Sequence, residues 1–186
     1  MSTVRIDNVR LAFPALYSPK AFAGGEGSAK FGATFLIPKN DSDTIKKVKD
    51  IIVDVAKKKW GEKYKPILDS LVSQGRTFLR DGDDKVEYDG FADHFYVNAS
   101  NAVRPIVIDA AKKPLSEESG LPYAGCYVNA SIDVWAQDNK FGKRINASLR
   151  GVQFVRDGDA FSGSSPATPD EFDSLTSTAS DSDGLF

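Results

Sequence analysis

The chain has 186 residues, with 24 Lys and Arg, 26 Asp and Glu, 41% hydrophobic residues and a formal net charge of −2. That length fits one domain with additions, or two small ones, and is enough to bury a core of useful size. One cysteine excludes a disulfide scaffold, one cysteine with one histidine excludes the usual zinc clusters, and no apolar run approaches the ~20 residues of a membrane span.

The opening decapeptide reads as a strand rather than a signal peptide, and the lone thiol fits a reducing, cytoplasmic setting. Over Thr3–Phe13, Val4 and Ile6 share one parity and Val9, Leu11 and Phe13 take the other. The phase change at Asp7-Asn8 predicts a bulge. A loop is expected over Pro14–Ala29, then a strand over Phe31–Ile37 with Phe31, Ala33, Phe35 and Ile37 on one face. Residues 39–75 read as a helical insertion. Asp41 or Ser42 caps it, Ile45, Val48, Ile52, Val55 and Ala56 form its apolar stripe, and Gly61 stops its first helix. A second helix is expected over Pro66–Ser73, and an acidic, Gly-rich loop over 81–93.

Phe95–Ser100 and Arg104–Asp109 read as short extended segments. Ala124–Gln137 and Lys143–Arg156 read as two long strands joined through Asp138–Gly142. A tight hairpin places Trp135 near Arg144, Ser131 near Ser148 and Asn129 near Arg150. Arg156 is the last basic residue, and seven acids follow it. Residues 1–156, with 24 basic and 19 acidic side chains, carry +5, and the remainder carries −7. Its Ser, Asp, Thr, Gly and Pro content predicts a disordered tail over 157–186. The expected architecture is therefore mainly β. A five-stranded antiparallel barrel of the oligonucleotide-binding (OB) type, with a helical insertion, fills residues 1–156.

The strand Cys126–Trp135 carries the most chemistry. Cys126, Val128, Ala130, Ile132 and Val134 face a core, whereas Tyr127, Asn129, Ser131, Asp133 and Trp135 face the other way. Across the turn, Arg144, Asn146, Ser148 and Arg150 share one face, and Gly151 marks a change of phase. Three echoes (Val97–Ser100, Val128–Ser131 and Ile145–Ser148) repeat an apolar-Asn-Ala-Ser pattern. Plain β alternation accounts for them, and so does a polar platform flanked by Tyr96, Tyr127 and Trp135. Such a platform suits single-stranded nucleic acid, because bases stack on aromatics while phosphates track Arg and Lys. Lys140, Phe141, Lys143, Arg144 and Arg150 cluster on the last hairpin, and Arg104 and Lys30 extend the positive track.

No enzyme signature holds. Gly24–Lys30 lacks the pattern of a phosphate-binding loop, Lys85 and Val86 break a calcium-loop reading of Asp81–Asp84, and His94 has no paired nucleophile. No cofactor or metal is expected. The chain's last residues, Asp181-Ser182-Asp183-Gly184-Leu185-Phe186, end acids in an aromatic, which suits docking of Asp181, Asp183, Leu185 and Phe186 on a partner protein.

The segment Tyr123–Gly158, with GCYVNASIDVWAQ, GK and LRGVQFVRDGD, resembles a phage family of OB-fold single-stranded DNA-binding proteins. Arg104–Asp109 and the first strand are similar to that family too, and the likeness covers most of residues 1–160. The ending DSDGLF is similar in design to the tails of bacterial and phage single-stranded DNA-binding proteins, with Leu185 where the bacterial form has Pro. The resemblance implies the fold and a role in replication or recombination. The expected protein is not an enzyme. It binds single-stranded DNA with little sequence preference, its tail competes with DNA and recruits replication or recombination proteins, and self-association is an open alternative. Deleting residues 157–186 is expected to raise DNA affinity and to admit duplex DNA. The rival readings are a virion structural or assembly protein, and a strand-annealing factor or a nuclease using Asp81, Asp84, Asp89 or Asp93.

Overall fold

A computed structural model describes residues 2–21 and 27–161. Among these, the chain runs β1 (Ser2–Lys20), β2 (Lys30–Pro38), α1 (Ser42–Trp60), α2 (Tyr64–Ser73), β3 (Leu79–Asp81), β4 (His94–Asn101), β5 (Ile106–Ile108), β6 (Tyr127–Asn139) and β7 (Gly142–Arg156). β1 lies between β2 and β6, β4 pairs with β2, and β7 pairs with β6. A parallel pairing of Ser100 with Ser148 joins β4 to β7 and closes a five-stranded barrel. Closure removes the open edges a flat sheet would leave. β3 and β5 extend β4 and β7 at the seam. This is the OB-like barrel expected, with its helices between the second and third barrel strands.

The predicted bulge in β1 is present. Its register against β6 shifts between Ile6 and Val9, and Asn8 takes φ +53°. The stretch expected as a loop from Pro14 instead continues the strand to Lys20, with Leu16 buried. A second irregularity between Ala12 and Ala15 changes phase again, so Phe13 turns outward and is 57% exposed rather than core. No sequence period signals that second break.

α1 follows its pattern closely. The Asp41 carboxylate accepts from Thr44 N, Gly61 ends the helix, and Ile45, Val48, Ile52, Val55 and Ala56 are the buried residues. They join Ile6, Leu11, Phe35, Ile37, Val97, Ile132 and Leu149 in the barrel core. Each large apolar side chain buried there contributes about 1.5–3 kcal/mol. Trp60 Nε1 donates to Asp138 Oδ2 at 2.9 Å and ties the helix end to the β6–β7 hairpin.

The acidic loop after β3 has a structural use. Lys39 Nζ lies 2.8 Å from Asp81 Oδ1 and 2.5 Å from Asp83 Oδ2, and its hydrogen bonds hold both carboxyls below the usual range. The loop thereby folds over the outside of the sheet, where Phe91 and Tyr96 pack with Ala12 and Leu36 in a second, smaller cluster.

Past Arg156 the described chain stays on the barrel as far as Phe161, whereas the tail was expected to start at 157. Tyr123 Oη donates to Asp157 Oδ1 at 2.8 Å, and Phe161 N donates to Ala124 O at 3.1 Å. Arg10 Nη2 donates to Asp159 O at 2.5 Å, and its guanidinium lies 4.4 Å from the Phe161 ring centroid. Gly125 permits this approach: its φ is +105°, and a Cβ there would lie 2.2 Å from Asp159 O. Asp181, Asp183, Leu185 and Phe186 fall outside the described residues.

Cys126 is fully buried, and burial pushes its thiol up to about 11. The native protein is therefore expected to resist a thiol reagent at pH 8 and to react on unfolding. Fast labelling of the native protein would show that the barrel opens at β6.

Candidate nucleic-acid interface

The β6–β7 hairpin is closed by two residues, Lys140 and Phe141. Asn139 Oδ1 accepts from Phe141 N at 2.9 Å, and Gly142 takes φ +103°. This turn is shorter than expected, and it moves the pairing two residues from the predicted one near the turn and three beyond the irregularity at Ser131/Ile132. Trp135 faces Asn146, Asp133 faces Ser148, Ser131 faces Gly151 and Asn129 faces Gln153. Because side chains alternate with period two, a two-residue shift changes partners but preserves faces. The register then slips at Ser131/Ile132, opposite Leu149 and Gly151, where a change of phase was expected.

The polar face is cross-bonded. Trp135 Nε1 donates to Ser148 Oγ at 3.0 Å, and Asn146 Nδ2 donates to Gln137 Oε1 at 3.0 Å. Asn129 Oδ1 accepts from Asn8 N at 2.8 Å while its Nδ2 donates to Gln153 Oε1 at 3.1 Å. In the β4 echo, Asn98 accepts from Thr34 Oγ1 at 2.7 Å, and Ser100 is the residue that closes the barrel. The echoes thus use much of their hydrogen bonding within the sheet. The rings remain able to stack, since Trp135 is half-buried and Phe141, at the hairpin tip, is 72% exposed.

Trp135, Lys140, Phe141 and Arg144 gather on the tip half of this hairpin, and Arg150 lies further along the outward face, whereas Lys143, paired in register with Asp138, has the parity of the core residues Ile145 and Ala147 and falls on the other face. Lys140 Nζ sits 5.1 Å from the Phe141 ring centroid, and Lys143 Nζ lies 3.4 Å from Asp138 Oδ1. Arg150 Nη1 donates to Thr3 Oγ1 at 3.1 Å, and its Nε lies 3.6 Å from Asp133 Oδ2, which offsets part of its charge. The Asp133 carboxylate also accepts from the Thr3 hydroxyl.

Four further predicted residues lie elsewhere. Tyr96 is 5% exposed, with its ring 5.3 Å from Phe91, so it cannot serve as a stacking surface. It is buried because the 82–93 loop covers that part of the barrel. Tyr127 is on the predicted face, but at about 3.4 Å per residue it stands ~27 Å along the strand from Trp135. There Arg156 and Arg10 lie 3.6 and 5.9 Å from its ring centroid. Lys30 pairs in register with Lys20 at the far end of β2, and Arg104 lies 5.4 Å from the Tyr17 ring centroid.

The structure adds residues that the sequence did not single out. Arg76 and Arg80 approach Arg144 at the hairpin's edge, where burial and then the charges of Arg80 and Arg76 push Arg144 below the usual guanidinium range. Their segment lies between a helix and a loop and shows no periodicity that would have placed it. Exposed Phe13 and Tyr88 meet edge to face, with centroids 5.1 Å apart, beside an open pocket of about 590 Å³ that Lys20 and Phe161 also line.

A family model described as "Enterobacter phage Enc34, ssDNA-binding protein" matches residues 2–185. A relative named "Putative protein p50", from Acyrthosiphon pisum secondary endosymbiont phage 1, is 49% identical over 175 residues, covering 93% of this chain and 94% of its own. The single-stranded DNA-binding protein of bacteriophage Enc34, solved in complex with ssDNA, superposes with a TM-score of 0.71 at 30% identity, over 85% of this chain and 88% of that one. The bacteriophage T7 single-stranded DNA-binding protein gp2.5 shares the fold, with a TM-score of 0.54 at 13% identity over 94% of this chain and 98% of its own. With the barrel, its closure and its insertion all in place, the chain belongs to the Enc34 phage ssDNA-binding protein family.

Proposed function

We propose that this protein binds single-stranded DNA, with little sequence preference and without catalysis, during phage replication or recombination inside the host cell. The reading rests on membership, over residues 2–185, of a family described as ssDNA-binding. The outer face of β6–β7 supplies what such binding needs. Trp135 and Phe141 offer rings to unstacked bases, and Lys140, Arg144 and Arg150 offer charge to phosphates. No helix among the described residues stands apart from the core to enter a major groove, and the two helices of the insertion bury their apolar faces against the barrel. Gel-shift titration of matched single-stranded and duplex oligonucleotides tests the reading. Binding of the single strand at lower protein concentration is expected, and preference for the duplex would refute it.

The acidic tail completes the proposal. Its carboxylates compete with DNA for the basic hairpin and, once displaced, present Leu185 and Phe186 to replication or recombination proteins. Because residues 157–161 pack on the barrel, the informative truncation ends at Phe161 rather than Arg156. Removing residues 162–186 deletes Asp170, Glu171, Asp173, Asp181 and Asp183. Affinity for oligo-dT should rise at low salt, with the gain shrinking as salt screens the competition, and duplex binding should increase. Equal affinity of the two chains at low salt would remove the competition from the account.

A further inference from the structure

Arg76 follows α2 and Arg80 lies on β3, so neither belongs to the last hairpin in sequence. The chain stitches them to it. Thr77 bridges Ile145 in parallel, Ile145 N donates to Arg76 O at 3.1 Å, and Phe78 N donates to Ile145 O at 3.0 Å. At left-handed Gly142 (φ +103°) a Cβ would lie 2.8 Å from Arg76 Nη1, so the Arg76 guanidinium packs close against the hairpin turn. Arg80 Nε donates to Thr77 O at 3.3 Å, which fixes its plane.

Arg76, Arg80 and Arg144 are all half-buried, and among the described residues none of them forms an ion pair. Like charges held together in a partly desolvated place repel, and only an anion relieves that repulsion. Three planar forks also match tetrahedral phosphate oxygens better than they match a point charge. Phe141 and Trp135 lie on the same hairpin, within reach of bases whose phosphates the arginines would hold.

We propose that Arg76, Arg80 and Arg144 form a phosphate clamp for the backbone of single-stranded DNA at the hairpin edge. The proposal rests on the DNA-binding reading above and gives it a place. Gly142 belongs to the same device, since it keeps the seat of the Arg76 guanidinium clear.

The test is fluorescence anisotropy of labelled oligo-dT with the full chain at several salt concentrations. Wild type is compared with Arg76→Gln/Arg80→Gln, with Arg76→Lys/Arg80→Lys, and with Lys46→Gln/Lys58→Gln on α1. The Gln pair should weaken binding about tenfold or more at low salt. It should also flatten the fall of log K with log salt by about 0.7 for each phosphate it no longer neutralises. The Lys pair should keep the slope while losing affinity, because charge remains and the fork does not. The α1 pair removes the same number of charges and should leave both unchanged. Thermal melts report folding, and if the Gln pair does not fold, the Lys pair carries the test. An unchanged slope and affinity in a folded Gln pair would overturn the clamp, as would an equal loss in the α1 pair. Tighter DNA binding by the Gln pair would overturn it in favour of the arginines holding the acidic tail. A wild type that does not bind oligo-dT would bring down the DNA reading itself and the clamp with it, a result separable from the others in the wild-type arm.

Discussion

Trp135→Ala is expected to weaken oligo-dT binding by about 5- to 150-fold, the loss of one base–aromatic stack worth ~1–3 kcal/mol. Titration of the labelled oligonucleotide with a variant of unchanged melting temperature measures it. Trp135 lies on the outward face of β6, is half-buried, and anchors its indole to Ser148 Oγ at 3.0 Å. That hydrogen bond fixes the ring plane before DNA arrives, so little rotamer freedom remains to be lost on stacking. Ser148→Ala leaves the ring in place but releases this anchor, and should cost only a fraction of what the Trp135 substitution costs. If Trp135→Ala binds like wild type, stacking occurs elsewhere, and exposed Phe13 and Tyr88 become the rings to substitute.

The second large effect is on stability. Phe35→Ala should destabilise the protein by about 3–5 kcal/mol, through lost transfer energy and the cavity left behind. Phe35 is fully buried where β2 lies between β1 and β4, in the core that also receives the α1 stripe. Neighbours fixed in a closed barrel cannot collapse far into the space. Denaturant unfolding of wild type and variant measures the difference, and a cost below about 1 kcal/mol would mean the barrel relaxes in a way that close packing does not allow.

The parts of the fold legible in the sequence are those written as period. α1 announced itself by its stripe, cap and stop, and all five predicted stripe residues are buried. The alternation of β2, β6 and β7 placed their core faces correctly, and the Asp7-Asn8 break in β1 marked a bulge that exists. Where the phase changed without a turn residue or a pattern, the reading failed. Phe13 looks like core by parity, yet the irregularity after Ala12 turns it out to solvent.

The site divides along the same line. The outward face of the β6–β7 hairpin follows from alternation alone, and it survived a register two residues from the expected one near the turn because that shift conserves the face. Tyr96 failed for a tertiary reason: its parity is outward, but the 82–93 loop, held by Lys39 between Asp81 and Asp83, folds over it. Arg76 and Arg80 were missed because their approach to Arg144 comes from a long-range bridge between Thr77 and Ile145, and no spacing in the chain encodes that pairing.

The central claim is that a basic, aromatic-bearing hairpin on a closed barrel holds single-stranded DNA by its backbone and its base faces. Its most direct test is the affinity of the full chain for oligo-dT as salt is varied, with Arg144→Gln measured beside it. The account predicts tight binding at low salt and log K falling linearly with log salt by about 0.7 per neutralised phosphate, with a shallower line for the variant. Absence of binding at low salt, or a line that does not depend on salt, would contradict it.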